Sequence, residues 1–337
     1  MRLLMLGGTE FVGRAVTEDA LARGWEVTVF HRGRHAPPPG AAALHGDRTT
    51  PEGLAALAAG EWDVVVDTWS GAPAAVRDSA RLLAPRAGRY VYVSSRSVYA
   101  HPAAPGLAED GPVVDSSPDL TEAPYAEAKR GGELAAEAAF GAGRTLFVRA
   151  GLVIGPYENI GRLPWWLTRI ARGGPVLAPG PHDQAVQYVD VRDLARWTLD
   201  AAAAGLSGPY DLVSPPGHAT LGDLLDACVT ATGGTAALHW TDPAVLLDAG
   251  IEPWTELPVW LPEGPDRQAV HGADVTRALA AGLRCRPVAE TVADTWAWLT
   301  SLNGPAPHRP DRPPVGLAPH KESALLRSLG VPGAQVP

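Results

Sequence analysis

The chain has 337 residues, 46% of them hydrophobic, with 28 basic against 37 acidic side chains and a net charge of −9. That content supplies a core for one large or two modest domains, and the negative charge without any basic block argues against nucleic acid or anionic membrane as a partner. Met1 leads straight into a strand-like run with no leader pattern, and no apolar run reaches about 18 residues, so the protein is expected in the cytoplasm with no membrane partner.

Arg2 to Leu6 reads as a buried strand that stops at Gly7-Gly8, and a helical pattern runs from Phe11 to about Arg23 with Phe11, Val12, Ala15, Val16 and Leu21 on one side. This strand, tight turn and helix place Gly7, Gly8, Thr9, Phe11, Val12 and Gly13 where a pyrophosphate would sit. Glycine lets the turn approach a ligand, and the first N–H groups of a helix attract an anion. The glycines at 7, 8 and 13 do not meet Gly-x-Gly-x-x-Gly literally, so an ordinary tight turn stays open at this point. Glu26 to Phe30 is a second strand ending at His31-Arg32-Gly33-Arg34. In dinucleotide-binding folds this tip meets the adenosine ribose, where an acid binds the free 2′-hydroxyl of NAD and an Arg accommodates the 2′-phosphate of NADP. Here no acid is present. His31, Arg32 and Arg34 therefore point to NADP(H) in preference to NAD(H), the alternative being a solvated basic turn. A short strand over 41–45 leads to Asp47, which either reaches the adenine edge or caps a helix expected over 51–59.

Trp62 to Asp67 is a fourth strand, a helix spans about 74–83, and Arg89 to Val93 is a fifth strand running into Ser94-Ser95-Arg96-Ser97-Val98-Tyr99. Strands alternating with helices at this spacing argue for an α/β, doubly wound parallel Rossmann sheet with ligands at its carboxyl edge, where Ser95 lies. The polar, proline-marked stretch 100–123 is expected to cover an active site. Pro124 opens a helix to about Phe140 that carries Tyr125 and Lys129 on one face, and Thr145 to Ala150 is a sixth strand. Residues 1–150 thus form a dinucleotide-binding domain, to which the helix and strand within 190–213 return.

Residues 151–189 and 214–303 are expected to form a smaller, mostly helical substrate-binding portion, with helices near 163–172, 221–232, 242–248, 274–281 and 288–302. Its tryptophans, among them Trp165 and Trp166, suit the walls of a flat or sugar-ring pocket and equally a core. Residues 304–337 read as a proline-rich arm with a terminal helix over about 321–329. Cys228 and Cys285 are expected as buried thiols, and no spacing of His, Cys, Asp or Glu suggests a metal.

Leu6-Gly-Gly-Thr-Glu-Phe-Val-Gly13, Val93-Ser-Ser-Arg-Ser-Val-Tyr99, Tyr125-x-x-x-Lys129, Arg149-Ala-Gly-Leu-Val-Ile-Gly-Pro156 and Gln187-Tyr-Val-Asp-Val-Arg-Asp-Leu194 occur in the order that resembles the extended short-chain dehydrogenase/reductase superfamily, which includes the NAD(P)-dependent epimerase/dehydratase enzymes. Asp274 to Leu283 and the closing helix look like its atypical bacterial members. The resemblance implies that Ser95, Tyr125 and Lys129 are catalytic and that Lys129 also holds the nicotinamide ribose. A phenol of pKa near 10 is a poor base at neutral pH; a nearby ammonium and a positive helix terminus favour phenolate. Ser95 would bond the substrate carbonyl oxygen. Ser94 is its competitor, but the distance back from Val98-Tyr99 matches Ser95 to the family's catalytic Ser or Thr.

Two departures narrow the expectation. The sugar-nucleotide 4,6-dehydratases place an Asp-Glu pair after the catalytic Ser or Thr; Arg96 and Ser97 stand there instead, which disfavours dehydration and leaves Arg96, with Trp165 and Trp166, as a substrate-side candidate. The superfamily's Gly-x-x-Gly-x-x-Gly maps to Gly7, Glu10 and Gly13, putting a carboxylate in place of the middle glycine. The expected function is NADPH-dependent reduction of a carbonyl on a small-molecule metabolite. Alternatives are epimerisation of a sugar-like substrate with NAD(P) and a non-catalytic nucleotide-binding protein, as a monomer or a homodimer.

Overall fold

In β1 (Arg2–Leu6), Leu3, Leu4, Met5 and Leu6 are shut off from solvent on both faces, the mark of an interior strand in a parallel sheet. The computed structural model describes residues 1–102 and 106–333; residues 103–105 of the expected cover and 334–337 of the expected arm lie outside it. The chain clusters into two units, one of Met1–Val153, Val191–Val213 and Ala273–Cys285, the other of Ile154–Asp190, Ser214–Gly272 and Arg286–Pro337.

The first unit holds a seven-stranded sheet. After β1 come β2 (Glu26–His31), β3 (Ala42–His45), β4 (Trp62–Asp67), β5 (Ala87–Ser95) and β6 (Thr145–Ala150), with Gly208–Leu212 as the last strand. All neighbours are parallel, and the order across the sheet is Gly208–Leu212, β6, β5, β4, β1, β2, β3. Helix α1 (Phe11–Ala22) packs against α6 (Val191–Ala203), and α3 (Pro73–Leu83) against α4 (Tyr125–Phe140); the short α2 (Pro51–Leu54) lies between β3 and β4 in the chain. Leu4, Leu6, Val65, Val76, Tyr90, Tyr92, Phe140 and Phe147 belong to one buried cluster on the α3–α4 side. Parallel winding brings the ends of β1, β2, β4 and β5 to one edge, and the turns carrying Gly7, Arg32, Trp69 and Arg96 leave from it.

In the second unit, α5 (Arg162–Ala171), α7 (Leu221–Thr232) and the helix Val288–Ser301 pack together. It is less uniformly helical than expected. Gly174–Pro179 and Ala236–Thr241 form a parallel ladder hidden in the sequence by flanking glycines and prolines, which tolerate a strand only at an edge, and the helix Pro265–His271 had no clear pattern. Residues 273–285, expected with this portion, cluster with the first unit. Cys228 is buried, whereas Cys285 is half-buried. Among the described residues, no helix is long and apolar enough to cross a membrane.

Candidate active site

The turn after β1 is built for close approach. Gly7 has φ +89°, and a Cβ at Gly13 would lie 2.0 Å from the Gly7 carbonyl oxygen, so only a hydrogen fits where α1 starts against the turn. Thr17 Oγ1 lies against both, 2.8 Å from Gly13 O within α1 and 3.4 Å from Gly8 O in the turn. Glu10 occupies the helix N-cap with an extended backbone (φ −135°) that any residue adopts, and makes no side-chain cap. The neighbouring Phe11 takes the left-handed conformation instead, at φ 33°. The Glu10 carboxylate is half exposed and lies 3.7 Å from His35, while Arg14 pairs with Glu18 at 2.7 Å. Thr9 and Val12 are half-buried beside the turn, and Gly8 is buried.

At the tip of β2, His31 is buried against His45, ring centroids 4.6 Å apart. Its Nδ1 accepts the Gly33 N–H at 3.2 Å, which leaves the proton on Nε2, a buried atom with no partner among the described residues. Burial first, then His45, lowers the His31 pKa and keeps the ring neutral. Arg32 and Arg34 are exposed. Asp47 accepts from Thr49 N at 2.9 Å and Thr49 Oγ1 at 2.6 Å, bonds that lower its pKa with smaller help from Arg32 and Arg34. The cap on the following short helix (Pro51–Leu54) is Thr50, not Asp47. A cradle closed to any Cβ, a buried donor without an acceptor and two exposed guanidinium groups fit a dinucleotide along this edge.

The ends of β4 and β5 carry the catalytic candidates. Ser94 donates to Glu133 Oε1 at 2.8 Å and is thereby turned away from the edge. Ser95 faces the other way; its Oγ accepts Ser97 N–H at 3.1 Å and caps the short turn Arg96–Val98. Tyr125 begins α4 and is 38% exposed, and Lys129, one turn on, is 3% exposed. The Lys129 ammonium donates to Trp69 O and to Val93 O, each at 2.7 Å, over the ring of Tyr92. Ends of two strands and a helix thus meet at Lys129, two residues of β5 before Ser95. Tyr125 is close enough to Tyr92 to add to a pKa rise there that burial dominates.

Arg96 does not present its charge to a ligand as expected. It is buried, ion-paired with Asp211 and set over the Tyr99 ring at 5.3 Å. Burial pushes the Asp211 carboxyl up to about 7 against the pull of Arg96. Trp166 is likewise spent: its indole is wholly buried and donates to Pro258 O at 2.8 Å. Trp165 is half-buried, edge-on to Trp166 at 4.7 Å and packed on Gly316.

Two buried ion-pair systems beneath the site escaped the sequence reading. Arg149 grips Glu133 at 2.9 and 3.0 Å, and Arg48 grips Asp67 at 2.6 and 2.8 Å. Their only signals were a charge inside or just after an apolar strand (Arg149, Asp67) and the four-residue step from Lys129 to Glu133. Among the described residues, no group of three or more His, Cys, Asp or Glu is placed to hold a metal.

A model described as the NAD dependent epimerase/dehydratase family matches residues 3–211. No curated protein matches the chain. Among solved structures, a putative epimerase from Burkholderia cenocepacia is 19% identical with a TM-score of 0.67, covering 89% of this chain and 98% of its own. UDP-glucose 4-epimerase from Thermus thermophilus, in complex with NAD, is 20% identical with a TM-score of 0.63 over 89% of this chain and 99% of its own. The dTDP-glucose 4,6-dehydratase DesIV from Streptomyces venezuelae, with NAD bound, is 21% identical with a TM-score of 0.61 over 89% and 97%. At such identities the likeness carries the fold alone.

Proposed function

The chain belongs to the NAD dependent epimerase/dehydratase family, and from that premise we propose that it is an NAD(P)-dependent oxidoreductase that reduces a carbonyl on a small metabolite or biosynthetic intermediate with NADPH. In this reading the turn Gly7–Gly13 receives the pyrophosphate, and His31, Arg32 and Arg34 receive the adenosine ribose and its 2′-phosphate. Lys129 holds the nicotinamide ribose. The nicotinamide, when bound, would supply the hydride for the carbonyl carbon. Tyr125 exchanges the matching proton with the carbonyl oxygen, which Ser95 orients through its hydroxyl. Glu133 keeps Ser94 out of that role.

The observation that carries the preference for NADPH is the β2 tip, where a neutral imidazole with an unsatisfied N–H and two exposed guanidinium groups replace the acid that would accept a 2′-hydroxyl. NADPH and NADH are titrated by nicotinamide fluorescence into the wild-type protein and the variant Arg32→Ala/Arg34→Ala, and carbonyl compounds are then screened by nicotinamide absorbance. Wild type should bind NADPH more tightly. The variant should lose about tenfold for NADPH alone, the order of one or two charge-assisted contacts. Tighter binding of NADH refutes the preference, and no binding of either refutes the enzyme reading.

Epimerisation of a sugar-like substrate is the second reading, favoured by the NAD-bound epimerase among the similar structures. The same three residues would oxidise and re-reduce one carbon, with no net consumption of cofactor.

A further inference from the structure

Helix geometry alone does not fix Lys129. Its ammonium is divided between two main-chain carbonyls, and one of them, Trp69 O, lies in the loop just beyond β4. That residue is held at several atoms: Trp69 N donates to Asp67 Oδ1 at 2.9 Å, its indole N–H to Ala72 O at 3.0 Å, and its carbonyl also accepts the Tyr92 hydroxyl at 2.9 Å. Asp67 in turn is fully buried, a placement that is costly for an unpaired carboxylate. Arg48, arriving from the loop after β3, supplies a two-pronged partner at 2.6 and 2.8 Å and lies over the Trp69 ring at 5.2 Å. Tyr90 adds a hydrogen bond to Asp67 at 2.6 Å. Burial by itself would raise the Asp67 pKa; the Arg48 charge and these hydrogen bonds outweigh it and hold the carboxylate ionised.

A buried ion pair is a poor device for stabilising a sheet, since apolar residues of the same volume often do as well or better. This one does something apolar residues cannot: it fixes the peptide backbone that receives Lys129. We propose that Asp67 and Arg48 are positioning residues for Lys129, acting through the main chain of Trp69. The inference rests on the reading that Lys129 holds the nicotinamide ribose. Arg48 neutralises Asp67, Asp67 sets the Trp69 N–H, Trp69 O sets the ammonium, and the ammonium meets the cofactor's nicotinamide half.

The test separates the two halves of the dinucleotide. Arg48→Met/Asp67→Ala removes both charges, so that neither is left buried alone, and its folding is checked by far-UV circular dichroism and thermal melting. Binding of NADPH and NADH is compared with binding of 2′,5′-ADP and ADP, which lack the nicotinamide ribose. The variant should lose about tenfold for the dinucleotides, as for one weakened charge-assisted hydrogen bond, and stay within about twofold for the fragments. Arg48→Met/Asp67→Asn, which keeps an acceptor for the Trp69 N–H, should recover most of the loss. In a Lys129→Met background the first variant should cost nothing further, because the interaction it tunes is gone.

Equal weakening of dinucleotides and fragments would make the pair merely structural and overturn the proposal, as would no weakening at all. If the alanine variant does not fold, Tyr92→Phe decides. It removes the other donor to Trp69 O without touching a charge, and a two- to threefold loss for the dinucleotides alone supports the chain of contacts; no loss overturns it. Wild-type protein that binds the fragments but no dinucleotide refutes the role of Lys129 at the ribose. Wild type that binds neither refutes the cofactor reading, and the proposal falls with it.

Discussion

Gly13→Ala offers a quantitative test of the cradle. The added methyl would lie 2.0 Å from the Gly7 carbonyl oxygen, and the next nearest atoms, Gly7 C and Gly8 Cα, are backbone at 3.0 Å, so no side chain can swing aside to relieve the contact. Restoring an ordinary separation of roughly 3.5 Å means parting the first turn of α1 from the glycine turn by about 1.5 Å. Hydrogen bonds from the turn to a phosphate, about 2.9 Å when made, do not survive a displacement of that size. Two such charge-assisted bonds at about 1.5 kcal/mol each come to about 3 kcal/mol, or roughly 100-fold in Kd. NADPH and NADH fluorescence titrations read this directly, with far-UV circular dichroism to show that the variant is folded. Gly143→Ala, where a Cβ would have nothing within 4 Å, is the matched control and should bind as wild type does. Gly13→Ala binding both nucleotides within threefold of wild type would refute the placement of the pyrophosphate at this turn.

Glu10→Gly should leave NADPH and NADH affinity within about twofold, because the carboxylate already faces solvent and His35; a gain of tenfold would place it on the phosphates. Ser95→Ala should lower turnover of a substrate found in the carbonyl screen about 100-fold without altering circular dichroism, whereas Ser94→Ala should cost about 1–2 kcal/mol in urea unfolding, since it takes a donor from the buried Glu133. The reverse pattern would assign Ser94 to the chemistry. His271 is buried between the Gln187 N–H and Val259 O, and desolvation lowers its pKa to about 4. The unfolded chain therefore takes up its proton first, so this contribution is complete above about pH 6.5, falls as pH drops and is lost by about pH 4, some 3 kcal/mol in all. Glu158 and Asp211, raised to about 7 by burial, titrate with the opposite sign, so the measurement is wild type minus His271→Gln in urea unfolding from pH 7 to 4. A difference that does not change with pH would refute it.

What the chain reveals unaided follows from where its physics is local. Strand runs such as Val64-Val65-Val66, the turn at Gly7-Gly8 and the start of α4 after Pro124 depend on neighbouring residues, and the structure places β4 over the expected span and α4 within one residue of it. Likewise the four-residue step puts Tyr125 and Lys129 on one helix. What stayed hidden depends on partners distant in sequence. Arg48 and Asp67 are ordinary polar residues until β3 and β4 bring their ends within reach, and nothing near Arg96 foretells that Asp211, 115 residues on, will neutralise it. Trp165 and Trp166 are adjacent and chemically identical, yet the helix sends one wholly inward and leaves the other half accessible. The strand Gly174–Pro179 is a different failure: local signals were present, but prolines and glycines speak against a strand unless its edge is known to be free.

The order in which the sheet is assembled has a consequence for synthesis on the ribosome. Six strands are encoded by the first 150 residues, but the seventh, Gly208–Leu212, is separated from its partner β6 by the whole first excursion into the second unit, Ile154–Asp190, and by α6. A nascent chain released at residue 150 would expose the hydrogen-bonding edge of β6, the strand that holds Arg149, with the ion pair from Asp211 to Arg96 unmade. The first unit is therefore not a module that can be severed after β6. Truncations ending near residue 150 should aggregate through that open edge, and those ending after Val213 should be the first to remain in solution.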